Sequence, residues 1–506
     1  MTHMKNKILK NTFLLYFRML TMMVVNLYAS RIVLQTLGIN DFGLYDIIGG
    51  LVILFSFINN AMITSTQRFL NFELGRQNRP NAQMFLSASI NLHLIIALGM
   101  LLIATPIGMW FLNHYISIPD GREFAANWVF IFTILSTCFN IIRTPYNAAI
   151  IAHEEMRFYA YISIAEAILK LLIVFILGIS KFDRLILYAV LTCTVIFCTT
   201  GIYYAYCHKK FDICRYILVK DKQIYYKLTN FSGWSLFGCL ANIGTIQGVN
   251  ILLNFFFGVA INAAAGIANQ INSALYQFVS NFQIAFNPQI VKSYAAQDKK
   301  YFINLILQTS KFSYFLMFTF TLPVFLCCQG LLSLWLGGTL PEHTVSFCQL
   351  LLLFTLLDAI QGPLWFSVQA TGQIKYYQIT VSLLILLNVP LSYYLIKYYQ
   401  LPELAIGGRI FINLILFFYR VFYLRNLYGF PIRRYLKEVI TKILSVSLIS
   451  IPIPYLVYSQ TDGLKQTIFT CIVAFLTIGF IIYHLGLTQN ERIFIKQYIS
   501  KITHNR

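Results

Sequence analysis

Residues 144–159 read TPYNAAIIAHEEMRFY, and residues 362–377 read GPLWFSVQATGQIKYY. At an offset of 218 and without a gap, Pro145 meets Pro363, Ala152 meets Ala370, Arg157 meets Lys375, Phe158 meets Tyr376 and Tyr159 meets Tyr377. The likeness extends both ways. Upstream, Leu37-Gly38-Ile39 meets Phe257-Gly258-Val259 at 220; downstream, Tyr204 and Phe211 meet Tyr423 and Phe430 at 219. Chance matching of apolar residues does not hold a register this steady, so the chain reads as an internal repeat of about 219 residues.

The composition says where such a repeat lives. Of 506 residues, 58% are apolar and 11% charged, whereas soluble domains run nearer half and a quarter. The net charge of +20, from 38 Lys and Arg against 18 Asp and Glu, raises nucleic acid as a partner. That partner needs basic residues gathered on a solvated face; here they sit between long apolar runs. The sequence is that of a polytopic membrane protein that binds no nucleic acid. Its ten Cys are scattered, with no C-x-x-C and no Cys/His cluster at metal-ligand spacing, so neither a disulfide nor a metal is expected.

A bilayer core of roughly 30 Å takes about 20 helical residues. On that ruler the chain has fourteen expected spans: 12–37, 44–65, 84–112, 125–142, 158–179, 185–207, 231–257, 261–286, 309–329, 344–366, 374–396, 404–424, 439–458 and 467–486. Lys5, Lys7 and Lys10 precede the first as in a signal peptide, but the apolar run is too long and no A-x-A site follows, so it is expected to remain as helix one. The fold class is all-α. Two six-helix lobes, 1–207 and 231–430, are joined by a linker, 208–230; helices 13 and 14 and a tail, 431–506, lie outside the repeat. Because six is even, the lobes share one orientation and form a parallel repeat around a central cleft suited to alternating access.

With the N-terminus placed inside, 29 of the 38 basic residues fall on the inner face, six outside, and Arg18, Lys170 and Arg409 within spans. Both termini are therefore expected in the cytoplasm. The linker, rich in Lys and Tyr, reads as lying on anionic headgroups. No Gly-Lys pair and no G-x-G-x-x-G occurs, which removes the nucleotide-cradling loops. His153-Glu154-Glu155 begins like a zinc-protease motif, but its second His is missing, and it reads as a solvated turn. Outer loops of about a dozen residues, the longest 113–124, cannot fold a catalytic domain. An enzyme is not expected, and no catalytic residue or cofactor is assigned.

Charges inside the bilayer cost about 2.5–3.5 kcal/mol on insertion scales, so each needs a reason. Glu166 and Lys170, four apart on one face, form either a self-neutralised structural pair or part of a substrate site. Asp358 and Arg409 either pair within the second lobe or face the cleft. Arg18 and Arg31 lie about 140° apart on span one; each either lines the cleft or snorkels to headgroups. Asp46 either hydrogen-bonds in the outer mouth or is structural. Cleft cations (Arg31, Arg18, Arg409, Lys170) suit a phosphate-bearing substrate, since Arg offers bidentate donors and a permanent charge. Asp46, Glu166 and Asp358 are candidates for pairing or ion coupling. Asn60, Asn242, Gln247, Asn269 and Gln270 are candidate polar lining, with interhelical hydrogen bonding as the competing role.

The stretch Arg31-Ile-Val-Leu-Gln-Thr-Leu-Gly38-Ile-Asn-Asp-Phe-Gly43-Leu-Tyr45, with Gln67-Arg68-Phe69, Gly75-Arg76 and Asn287-Pro288, resembles the Wzx-type oligosaccharide flippases of the multidrug/oligosaccharidyl-lipid/polysaccharide exporter (MOP) superfamily. The resemblance covers nearly the whole chain. It implies movement of an undecaprenyl-pyrophosphate-linked oligosaccharide from the inner to the outer leaflet of a bacterial plasma membrane, for cell-surface polysaccharide such as O-antigen and lipopolysaccharide. It further implies coupling to H+ or Na+, membrane lipids and polysaccharide assembly proteins as partners, and a groove for the polyprenyl tail beside helices 13 and 14. Two alternatives stand beside it. A drug or cation antiporter of the same superfamily is disfavoured by fourteen spans and excess Arg and Lys; a membrane glycosyltransferase or polymerase is disfavoured by the short outer loops.

Overall fold

The structure, a computed structural model, describes residues 14–25, 28, 29, 32, 33, 36–38, 41, 44, 45, 48, 49, 56–115, 118, 121–336, 340–489 and 491–493. Among these the protein is almost wholly helical, and ten helices are long and apolar enough to cross a membrane. The pair Lys299–Leu326 and Cys328–Leu336, bent by 79°, makes an eleventh if taken as one broken span. This is a multi-pass membrane protein.

Ten or eleven differs from the fourteen expected for identifiable reasons. Val259–Ala295 is one helix of 37 residues, but Asn262, Asn269, Gln270, Asn272 and Gln277 leave it too polar for the same measure. Of the first two expected spans, Leu14–Val25 and Ser56–Gly75 are helical, and most of what lies between them is outside the described residues. Proline does not break the long helices. Pro145 lies inside Glu123–Ala152 and Pro363 inside Thr344–Thr371, each a turn or two before the end.

The repeat reaches the backbone. Among the described residues, eight of the eleven left-handed positions pair across the copies at offsets of 218 to 222, namely Gly38 (φ +80°) with Gly258 (+82°), Gln77 (+58°) with Gln297 (+60°), Gly121 (+76°) with His343 (+65°), and Glu154 (+60°) with Gly372 (+78°), whereas Gln400 and Gly429 in the second copy have no left-handed counterpart. One pair can be followed bond by bond. Asn78 N donates to Glu73 O (2.9 Å) and Gln77 N to Leu74 O (3.1 Å), while Asp298 N donates to Ser293 O and Gln297 N to Tyr294 O, both 3.1 Å. Both helices thus end in a Schellman motif with Gln at the left-handed position.

By packing, the chain divides into two compact units. The first comprises Met1–Leu240, Ile284–Asp298 and Ala370–Gln378, so two short segments of the second repeat copy belong to it. Helix Ser56–Gly75 meets the first of them closely: a Cβ on Gly75 would lie 2.7 Å from the Lys292 Cα, and only glycine permits that approach. The linker is not loose. Phe211, Ile213 and Cys214 are buried, Gln83 donates to Arg215 O (2.8 Å), Ser87 accepts from Ile217 N (3.2 Å) and Asn91 donates to the Tyr225 hydroxyl (2.7 Å). It docks along helix Arg79–Gly99 as part of that unit's core.

The second unit comprises Ala241–Gln283, Lys299–Gln369 and Ile379–Arg506. Here Ile432–Gln460 and Gly463–Gly486, the helices outside the repeat, pack on Lys299–Leu326. Tyr314 and Ser447 share a hydrogen bond of 2.7 Å, and Lys311 pairs with Glu491 at 2.8 Å, the two side chains 4% and 7% exposed. On the other side of these helices Leu448, Leu476 and Phe480 are exposed, as lipid-facing residues are.

Candidate functional site

In the first unit, the polar positions of four helices converge. Glu166 receives Lys170 Nζ at 2.9 Å and Arg143 Nη1 at 2.7 Å. Arg143 also donates to Asn140 Oδ1 (2.6 Å) and Thr199 Oγ1 (3.3 Å) and lies 5.3 Å over the Tyr203 ring. Arg18 stacks 4.3 Å from the Tyr159 ring centroid, and it shares Tyr203 as an electrostatic neighbour with Tyr159, Arg143 and Glu166. Arg143 and Lys170 therefore pair with one carboxylate while Arg18 stands beside them on the Tyr159 ring, so the cluster as a whole carries an excess of two positive charges. A half-buried guanidinium on an aromatic face keeps N–H donors at its edge for an oxyanion.

The second unit holds a counterpart of smaller charge excess, two arginines around one carboxylate. Tyr276 hydrogen-bonds Asp358, with Arg420 in electrostatic range, and Asp358 also acts on Arg409. Arg409 stacks 4.2 Å over Phe354 and lines a cleft of about 20 Å³ with Thr245, Asn250 and Asn269. That is room for one water among several polar partners.

These placements sort the expected residues. Arg18, Lys170 and Glu166 come together in one cluster, and Arg409, Asp358 and Asn269 lie in the other unit. Asn269 donates to its own helix at Ala265 O (2.9 Å), Gln247 accepts from Asn250 (3.4 Å), and Asn242 and Gln270 are exposed. Arg31, Asp46 and the Asn60 side chain lie outside the described residues. No group of three or more His, Cys, Asp or Glu among the described residues could hold a metal ion.

Arg143 is the residue that sequence reasoning missed. Span four was expected to stop before Arg143-Thr144-Pro145, whereas the helix continues to Ala152 and sets Arg143 about 13 Å from its end. Neighbouring helices satisfy a proline inside a membrane helix, so that motif is no stop signal. Glu154, expected in a solvated turn, is instead buried and accepts from Gln289 (2.5 Å) and Lys292 (2.7 Å).

No protein-family profile and no curated protein matches the sequence. Solved structures do. A MATE transporter crystallised with MaD3S superposes with a TM-score of 0.73 over 84% of this chain and 97% of its own, at 13% identity. The fold is that of the MATE transporters. An outward-facing multidrug resistance MATE transporter of the MOP superfamily gives 0.72 over 83% and 95%, at 14% identity. A MOP superfamily transporter from Pyrococcus furiosus, described as having a binding pocket of reverse polarity, gives 0.70 over 82% and 95%, at 12% identity. The MATE-like likeness is one of fold, and its members are transporters.

Proposed function

We propose that this protein is an alternating-access flippase for a phosphate-bearing, lipid-linked oligosaccharide, carrying an undecaprenyl-pyrophosphate-linked glycan from the inner to the outer leaflet for cell-surface polysaccharide synthesis. The observation that carries this reading is the excess of two positive charges around Arg18, Arg143 and Lys170. Cations held in a membrane bundle without full compensation suit an anionic cargo. The same reading takes fourteen spans, two parallel lobes at 1–207 and 231–430, both termini in the cytoplasm of a bacterial inner membrane, and H+ or Na+ coupling through Asp358 or Glu166. The paired left-handed turns support the two-lobe part.

A second reading is an ion-coupled drug or cation antiporter, and the multidrug MATE transporter among the structural neighbours favours it. The neighbour whose pocket is of reverse polarity is described as suggesting a different function, so one fold tolerates opposite site charge. Deletion separates the readings. A single undecaprenyl-linked repeat unit accumulating in the inner leaflet, with drug susceptibility unchanged, is expected for the flippase. Raised sensitivity to cationic drugs with normal glycan would establish the antiporter instead.

A further inference from the structure

The first unit contains a second cationic site, separate from the intramembrane cluster. Helix Ser56–Gly75, the start of helix Lys222–Phe257 and the 371–375 turn enclose a pocket of about 310 Å³, within the size range of small-ligand sites. Arg68, Lys227 and Lys375 line it and no carboxylate does, although the buried Glu73, outside the lining, acts on Arg68. Arg68 forms the floor: it is 8% exposed, its guanidinium lies 4.6 Å from the Phe69 and Phe72 ring centroids, and it donates to Ala370 O at 3.2 Å. Lys227 and Lys375 stand exposed at the rim, and neither has a carboxylate partner among the described residues. Lys375 Nζ sits 5.5 Å over the Trp234 ring, whose Nε1 donates to Asn230 Oδ1 at 2.9 Å.

We propose that this pocket binds a phosphate ester, presented by the headgroup of an anionic membrane lipid. Three cations of one sign, one of them buried and aimed by aromatic rings, recognise phosphate rather than a neutral group. Trp and Tyr at the rim are the residues that settle at headgroup depth, and Tyr226 lies there, 68% exposed. The walls come from both repeat copies, so a bound phosphate ties helix Ser56–Gly75 to the 371–375 turn and stabilises that packing of the first unit. The site stands independently of the transported substrate.

The test uses the full-length protein purified in a neutral detergent. Thermal unfolding is followed with dioleoylphosphatidylglycerol, dioleoylphosphatidylcholine or inorganic phosphate added, for the wild type and for Lys227→Gln/Lys375→Gln. Phosphatidylglycerol is expected to raise the Tm more than phosphatidylcholine. The double variant, changed only at exposed side chains, should fold normally and need roughly fivefold more lipid per lysine removed. Native mass spectrometry should show the matching loss of retained phosphatidylglycerol. Should inorganic phosphate alone reproduce the shift, and the variant lose it, the lipid source is overturned and the ligand is a soluble phosphate. A phosphatidylglycerol response that is absent, or equal in wild type and double variant, overturns the site.

Discussion

The two repeat copies agree in backbone and disagree in charge. Gln77 and Gln297 end equivalent helices with the same hydrogen-bonded turn, and Glu154 and Gly372 share a left-handed conformation. Yet in one copy Arg143 and Lys170 pair with Glu166 and Arg18 stands beside them, an excess of two positive charges, while in the other Asp358 acts on Arg409 with Arg420 beside Tyr276, an excess of one. Helix ends are constrained by backbone geometry that any duplicate inherits. Intramembrane charges are constrained only by what they must bind, since each carries an insertion cost. Divergence in charge over a common frame is therefore where function is to be sought, and it points to the first copy.

The sharpest way to break that comparison is at Glu166. Glu166→Gln leaves Arg143 and Lys170 facing each other without a carboxylate; for this half-buried cluster the cost is on the order of 2 kcal/mol, below that of a fully buried pair. A marked fall in Tm and membrane abundance is expected, with Lys170→Gln doing far less because Lys170 is the more exposed partner. Equal falls in the two variants would make Lys170 as necessary to the cluster as the carboxylate it pairs with.

The next effect is on transport. Losing a hydrogen bond from a charged group costs roughly 1.5–3 kcal/mol, a ten- to hundredfold loss of substrate binding. Arg18→Gln should lower flipping by that factor at normal abundance, and Arg409→Gln, in the cluster of smaller charge excess, by less than tenfold. Reversal of this order, in a proteoliposome flipping assay, would move the anion site to the second copy.

A smaller effect depends on pH. Burial holds the His153 imidazole below its ordinary value, with Lys292 and Arg79 adding to the shift and the Ala149 carbonyl and Glu155 opposing it. The unfolded state then takes up its proton first, so this stability is complete above pH 6.5 or so and is lost as pH falls below it. The equivalent position in the second copy is Thr371, which does not titrate. His153→Gln should flatten part of the Tm loss between pH 7 and 5.5; an unchanged slope would place the titration elsewhere.

The membrane class was legible in the sequence because it rests on a short-range signal, long apolar runs. The site was legible only in part. Glu166 and Lys170, four apart on one helix, declare their pairing, but Arg143 depends on a helix running through Pro145. Lys311 and Glu491 are 180 residues apart, and periodicity carries no trace of their contact. Glu154 looks solvated beside His153 and Glu155 until Gln289 and Lys292 cover it. The expected span 261–286 is met by the helix Val259–Ala295, which its amides keep below the apolarity of the other candidate spans.

The smallest predicted effect tests the shared frame itself. Gln77 and Gln297 hold φ near +60°, where a side chain crowds the following carbonyl and glycine does not. Gln77→Gly and Gln297→Gly should each relieve that strain, offset in part by the greater freedom of glycine in the unfolded chain. The net gain is about 0.5 kcal/mol apiece. Neither residue belongs to a charged cluster, so transport should be unchanged while both Tm values rise by similar amounts. Two turns that are copies of one structure must respond alike. A gain at one position and a loss at the other would mean that their resemblance is confined to the dihedral angles, and the repeat would lose its best-defined pair of equivalent residues.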